Sequence, residues 1–204
     1  MLGAAQQEAL LKLARTALVN AVTGMAPPEP DSNDLSVFLK EPRACFVTLR
    51  NKGELRGCIG NVVASKPLFE AVTNNAIGAA RRDSRFPPVT VDELDDIHIE
   101  LSILSEPKPL NYSSREALFE MLRPGRDGVL LTVGNRTATF LPQVWENLPD
   151  KEEFLARLCA KAGLEPAAWR LGDLLISTYE VQILSESDQP NTSTIQATQN
   201  RSKS

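Results

Sequence analysis

The stretch that decides the fold is ACFVTLRNKGELRGCIG, residues 44–60. Residues 44–49 alternate in polarity and are rich in Phe, Val and Thr, a composition that favours a β-strand. The next three residues, Asn51-Lys52-Gly53, predict a turn, since Gly53 can adopt a positive φ. Residues 55–60 then return as a second strand, so the stretch predicts a β-hairpin.

The second strand of this hairpin carries the hexapeptide LRGCIG, which places a thiol between two glycines. Because alternate residues of a strand share a face, we expect Arg56, Cys58 and Gly60 on one face and Gly57 on the other. A nearby guanidinium favours the reactive thiolate, and the glycines leave room for a ligand. The same residues also fit a packing role, with Cys58 as a small buried hydrophobe. Both interpretations stay open at this point.

The rest of the chain alternates between helical and extended patterns. Apolar residues recur at helical spacing in residues 6–22, 65–82 and 150–162, and a capping box at residues 113–116 predicts a further helix through Leu122. Further strands are predicted at residues 97–104, 128–133, 137–141 and 174–184. Two hairpins among scattered helices predict an α+β domain with a mainly antiparallel sheet and flanking helices. We expect one domain over residues 1–186, followed by a polar, disordered tail at residues 187–204.

Composition disfavours several classes of protein. The 204 residues carry a formal net charge of −4 with no basic run, so a nucleic-acid partner is not expected. No apolar run approaches the roughly 20 residues of a membrane span. The three cysteines form no C-x-x-C pair, and no segment has the pattern of a secretory signal. These features predict a cytoplasmic protein with reduced thiols.

The strand at residues 97–104 presents His98, Glu100 and Ser102 on its polar face. Glu100 could act as a base or orient a ligand, or it could pair with a scaffold arginine. His98, the only histidine, could be a general acid or base, although a solvated surface role is simpler. Cys45, Cys58 and His98 could meet at a metal, but their spacing matches no usual zinc pattern. We therefore predict no metal site.

Two further polar residues are candidates for ligand binding. Arg85 precedes Phe-Pro-Pro and could clamp a carboxylate or phosphate through two hydrogen bonds. The alternative is a local ion pair with Asp83 that fixes the turn. Gln143 offers both a donor and an acceptor, and it could equally pair with exposed backbone.

Five sequence blocks, taken in order, resemble the AMMECR-domain family. They are FVTLRNKGELRGCIG (46–60), AARRDSRFPPV (79–89), IHIELSILSEPKPL (97–110), TFLPQVWEN (139–147) and FLARLCAKAGL (154–164). The resemblance covers residues 8–185, and LRGCIG is the hallmark of the family. It implies an α+β architecture with a larger sheet-containing part and a smaller, mostly helical part.

The resemblance also implies site residues and partners. Prokaryotic members are often encoded beside a Memo-like protein and a radical-SAM protein, which implies a shared pathway. We expect a small-molecule enzyme or ligand-processing protein whose cleft centres on the LRGCIG strand and takes a small anionic or polar metabolite. The alternative is a non-catalytic adaptor for a Memo-like or radical-SAM partner. No cofactor is assigned. The predicted catalytic residues are Cys58 and Glu100, and the predicted substrate-binding residues are Arg56, Gly57, Gly60, Arg85, Ser102 and Gln143.

Overall fold

The computed structural model describes residues 2–29, 37–171 and 174–186. Its α-helices are α1 (Ala4–Thr23), α2 (Val37–Lys40), α3 (Leu68–Arg81), α4 (Arg115–Met121) and α5 (Lys151–Lys161). Its strands are β1 (Cys45–Asn51), β2 (Glu54–Gly60), β3 (Ile97–Leu104), β4 (Lys108–Pro109), β5 (Gly128–Val133), β6 (Arg136–Phe140), β7 (Leu175–Tyr179) and β8 (Val181–Ser185). Short 3-10 helices span Val91–Glu93, Pro142–Glu146 and Ala168–Leu171. The predicted tail at 187–204 lies outside the described residues.

The α+β class is confirmed, and the strands form two antiparallel sheets of four. In the first sheet the order is β2-β1-β3-β8. The predicted hairpin supplies β1 and β2, and the turn between them places Lys52 and Gly53 at φ values of 51° and 88°. β2 is therefore an edge strand that pairs with β1 alone among the described strands.

Helices α1 and α3 cover one face of the first sheet. Val47, Leu49 and Leu101 point into this core from the strands and are fully buried. The helical spacing of apolar residues in α1 matches this role, because Leu10 and Leu18 lie in the same core. The opposite face of the sheet carries the alternate residues of each strand, which are more polar.

The second sheet has the order β4-β7-β5-β6. Helices α4 and α5 contribute to its core, in which the rings of Trp145 and Phe154 stack with centroids 3.6 Å apart. The second part of the molecule thus carries a sheet as well as helices. The hairpin β5–β6 matches the one predicted for residues 128–141.

The prediction of a single final strand over residues 174–184 is wrong. Residue Glu180 separates β7, in the second sheet, from β8, in the first. The backbone oxygen of Glu180 accepts from the N–H of Ser105 at 2.9 Å, and its N–H donates to the Ser105 hydroxyl at 3.0 Å. The chain therefore crosses between the sheets here, beside a small apolar cluster that includes Leu104 and Tyr179.

Within the part of the chain that is described, no helix combines the length and the apolar character needed to cross a membrane.

Candidate functional site

The thiol of Cys58 lies on the polar face of the first sheet, at the end of a cross-strand row. Cys58 pairs with Thr48, Thr48 pairs with Glu100, and Glu100 pairs with Ser185. Paired residues of neighbouring strands point to the same face. Cys58 and Glu100 therefore flank Thr48, with their Cα atoms about 10 Å apart across two strand spacings.

The side chains of this row are within reach of water. Cys58, Thr48 and Glu100 are each half-buried. The Thr48 hydroxyl donates a hydrogen bond to the Cys58 Sγ at 3.3 Å. No described residue forms an ion pair or hydrogen bond with the Glu100 carboxylate. The cross-strand row thus contains a partly exposed sulfur and a hydroxyl donor next to it. On the other side of that hydroxyl lies a carboxylate with no partner among the described residues.

The exposed edge of β2 is capped by the segment that follows α3. At Cys58 the backbone N–H donates to Asp83 Oδ2 at 2.8 Å, and the backbone oxygen accepts from Arg85 Nη2 at 3.4 Å. Both outward backbone groups of Cys58 therefore have side-chain partners. An edge strand with unpaired groups is a site for unwanted strand pairing, and this cap closes the edge at the thiol.

The cap is itself an ion pair with one buried and one exposed partner. Arg85 donates to Asp83 through Nε at 2.9 Å and through Nη2 at 2.6 Å. The Asp83 side chain is only 5% exposed, whereas the Arg85 side chain is 54% exposed. The hydrogen bond from Arg85 holds the pKa of Asp83 far below its ordinary value, and the pKa of Arg85 is raised in turn. The local ion pair considered from the sequence is present, and the guanidinium still presents a face to solvent.

Arg56 faces a different set of partners from those expected. A bulge between Leu49 and Arg50 shifts the register, so that Leu55 pairs with Arg50 and Arg56 is the inserted residue. The alternation that would align Arg56 with Cys58 is thereby interrupted.

The three guanidinium nitrogens of Arg56 are engaged by the segment after α3. Arg56 donates to both carboxylate oxygens of Glu93, at 2.6 and 3.0 Å, and to the backbone oxygens of Pro87 and Pro88. Hydrogen bonding from Arg56 lowers the pKa of Glu93 to about 2. Arg56 therefore anchors the capping segment, and the arginine that contacts the Cys58 backbone is Arg85.

The two glycines of the hexapeptide occupy places where a side chain does not fit. A Cβ at Gly57 would lie 2.3 Å from the backbone oxygen of Ala79 in α3. A Cβ at Gly60 would lie 2.2 Å from the ring of Phe46. Gly57 therefore brings β2 against α3, and Gly60 accommodates an aromatic ring on the polar face. Both contacts are packing contacts within the protein.

The remaining candidates lie at increasing distance from the thiol. Ser102 belongs to the neighbouring row with Phe46 and Ile183, and it is only 2% exposed. Gln143 lies in the 3-10 helix Pro142–Glu146 and lines a cleft with Ile183, at the opposite edge of the first sheet. The structure therefore groups Cys58, Glu100 and Arg85 but leaves Gln143 in a separate cleft.

The three residues considered for a metal do not converge. Cys45 is fully buried on the helix-covered face, whereas Cys58 is on the polar face and His98 is exposed. Among the residues with described positions, no group of three or more His, Cys, Asp or Glu side chains could hold a metal ion.

Sequence reasoning missed the roles of Thr48 and Glu93 and left the contact between Asp83 and Cys58 unseen. The register of the hairpin could have identified Thr48 as the partner of Cys58. Glu93 is the last residue of a four-residue capping box that begins at Thr90, a pattern that is visible in the sequence.

Four clefts formed by described residues lie away from the thiol. Their volumes are about 710, 410, 310 and 370 Å³, and none of their walls includes Cys58, Arg56 or Glu100. The thiol thus lies outside these four clefts.

Comparisons with known proteins place the chain among archaeal relatives. A sequence profile of the family described as AMMECR1 matches residues 11–184. A protein of Thermofilum pendens is 38% identical over 200 residues, covering 91% of this chain and 92% of its own. Protein MJ0810 of Methanocaldococcus jannaschii is 42% identical over 153 residues, covering 72% of this chain and 74% of its own. The crystal structure titled Uncharacterized Protein PH0010, from Pyrococcus horikoshii, superposes with a TM-score of 0.76 at 35% identity, covering 85% of this chain and 88% of that one.

Proposed function

Because the chain belongs to the AMMECR1 family, we propose that it binds and processes a small polar or anionic metabolite at the face around Cys58, the thiol of the LRGCIG hexapeptide. The observation that carries the proposal is the hydrogen bond from Thr48 to a half-buried Cys58 Sγ. A thiol that serves only as packing is normally buried among apolar groups.

Each residue around the thiol has a chemical role in this proposal. Cys58 is the reactive group, and the Thr48 hydroxyl orients its sulfur through a hydrogen bond. Arg85 attracts an anionic group of the ligand through the exposed side of its guanidinium. Glu100 accepts a proton or orients an amine or hydroxyl of the ligand. Asp83 and Arg56 hold the segment that carries Arg85.

The experiment is a metabolite screen with purified protein and two controls. Mass spectrometry follows the consumption of metabolites by the wild-type protein, by Cys58→Ser, and by protein alkylated with iodoacetamide. We expect the wild-type protein to consume a polar metabolite that both controls leave unchanged. Equal consumption by Cys58→Ser would remove this thiol from the mechanism.

The position of the thiol outside these four clefts favours a second candidate function. Since the walls of the four clefts exclude Cys58, the polar face could instead be a flat contact surface of an adaptor. Its partner would be a Memo-like or radical-SAM protein, as the family resemblance implies. Small-molecule sites are generally concave, whereas flat surfaces are typical of contacts between proteins.

A co-purification experiment separates the two candidates. Thr48→Arg places a large charged side chain on the polar face, and Glu8→Arg provides an exposed control on α1. Loss of a co-purified Memo-like or radical-SAM partner with Thr48→Arg alone, at unchanged thermal stability, supports the adaptor. Retention of the partner with both variants counts against it.

A further inference from the structure

A second candidate site lies in the cleft at the seam between the two sheets, about 310 Å³ in volume. It is lined by Gly125, Arg126, Pro142, Gln143, Glu146, Glu180, Val181 and Ile183. Ile183 is on β8, the edge of the first sheet opposite to β2. Three strand spacings, about 14 Å, therefore separate this cleft from the strand that carries Cys58.

The carboxamide of Gln143 has no partner in this cleft. Its Oε1 is shielded from water and accepts no hydrogen bond from a described residue, and its Nε2 donates none to one. Proteins rarely retain a buried polar group in this condition. A modest movement of the side chain into the cleft would offer both atoms to a ligand. The complementary group is one that carries a donor and an acceptor side by side, as an amide does.

The one charged side chain of the cleft that has no ion-pair partner among the described residues is a carboxylate. In a 3-10 helix residues three apart lie on the same side, so Glu146 stands on the same side as Gln143. Glu146 is exposed and has no partner among the described residues. The other carboxylate, Glu180, already accepts from Arg123 and Arg126, at 3.1 and 3.0 Å. A cation is therefore the group that Glu146 would attract.

Part of the cleft wall is apolar. Ile183 is 48% exposed, although it is a large aliphatic side chain on a strand. Val181 and Pro142 line the cleft beside it. An aliphatic segment of a ligand could cover this surface and remove it from water.

We propose that this cleft binds a peptide-like ligand whose amide group meets Gln143, whose ammonium or guanidinium group meets Glu146, and whose aliphatic part covers Ile183. The same chemistry is found in a small amino-acid amide and in a basic segment of a partner protein. The site does not involve the thiol. A test that contradicts this site therefore leaves the function proposed for Cys58 unaffected.

The first test is the thermal stability of the full chain without ligand. Gln143→Met keeps the length of the side chain but removes the unpaired carboxamide, and we expect the melting temperature to rise by about 2–4 °C. The matched control is Gln182→Met, because Gln182 bonds the backbone N–H and oxygen of Leu2 at 2.8 and 3.2 Å. This control should lower the melting temperature. A comparable decrease for Gln143→Met would show that Gln143 is structural, and the proposal would be overturned.

The second test measures binding of defined probes by NMR titration. The probes are N-acetyl-lysine methylamide and a capped pentapeptide with lysine at its centre, each compared with its norleucine counterpart. We expect a lysine probe to shift the amide resonance of Ile183, and the norleucine probe to bind about fivefold more weakly. Gln143→Met and Glu146→Gln should each weaken binding.

The two probes distinguish the sources of the ligand. Binding of the single-residue probe indicates a small-molecule ligand, and binding of the pentapeptide alone indicates a segment of a partner protein. If neither lysine probe shifts Ile183, or if both variants bind as the wild type does, the cleft is not the site proposed.

Discussion

The carboxylate of Asp83 accepts a hydrogen bond at 2.8 Å from the backbone N–H of Cys58, a residue 25 positions earlier in the chain. This contact joins the LRGCIG strand to the segment after α3. It places the exposed guanidinium of Arg85 against the edge of β2. Two sequence blocks that are far apart in the chain therefore form one structural unit around the thiol.

Asp83→Asn tests the energetic importance of this unit. The substitution keeps an acceptor for Cys58 but removes the charge that binds Arg85, so we expect the free energy of unfolding to fall by about 2 kcal/mol. Urea unfolding followed by circular dichroism measures the change. Asp92→Asn is the matched control, because Asp92 is exposed and its substitution should leave stability within about 0.5 kcal/mol. Equal effects of the two variants would contradict the importance of the contact.

The ion pair between Arg56 and Glu93 should make stability depend on pH in acid. The pKa of Glu93 is lowered from 4.5 to about 2 in the folded protein. A carboxyl group whose pKa is lowered by folding stabilises the protein fully above its unfolded value. This contribution is lost as the pH falls from about 4.5 towards 2.

Glu93→Gln isolates this contribution, since glutamine does not titrate. We expect the urea midpoint of the variant to be lower than that of the wild type at pH 7, and the difference to shrink below pH 4.5. Parallel pH profiles for the two proteins would show that Glu93 does not provide the acid-dependent stability.

Gly57→Ala tests the close approach of β2 and α3. The added Cβ would meet the backbone oxygen of Ala79 at 2.3 Å, and a backbone atom cannot move aside as a flexible side chain can. We expect the free energy of unfolding to decrease by about 3 kcal/mol. Gly3→Ala is the control, because its Cβ would lie 3.9 Å from the nearest atom. If both variants are equally stable, the strand and the helix are less tightly packed than described.

Alkylation should distinguish Cys58 from the other two cysteines. Cys45 and Cys159 are fully buried, and burial raises the pKa of Cys45 to about 12. Native protein treated with iodoacetamide should therefore gain one adduct, at Cys58, when intact mass is measured. Unfolded protein should gain three adducts, one for each cysteine.

Two variants extend the alkylation experiment. Cys58→Ser should gain no adduct in the native state. Thr48→Val removes the donor to the sulfur and should slow alkylation about fivefold, as expected for the loss of one hydrogen bond. An unchanged rate would show that the Thr48 hydroxyl does not influence the reactivity of the thiol.

Local sequence patterns were sufficient to predict the first hairpin. Gly53 permits the turn, and alternation defines both strands of the hairpin. The polar side of β3 was also predictable, so Glu100 was expected on a polar face. These features depend on residues that are near one another in the chain.

The composition of the site depends on contacts that local patterns do not contain. A bulge near Arg50 changes the register, so the position of Arg56 could not be obtained from alternation. Arg85 reaches Cys58 only because α3 returns the chain to the edge of β2. The crossing at Glu180 was missed because a continuous apolar segment does not reveal which sheet each half joins.

The most direct test of the proposed function is the comparison of wild-type and Cys58→Ser protein in the metabolite screen, with the melting temperatures of both measured first. We expect melting temperatures that agree within about 2 °C, since serine is close to cysteine in size and its hydroxyl at a half-buried position is within reach of water, together with loss of metabolite consumption in the variant. Consumption of the same metabolite at the same rate by Cys58→Ser would contradict the central claim that this thiol is the reactive group.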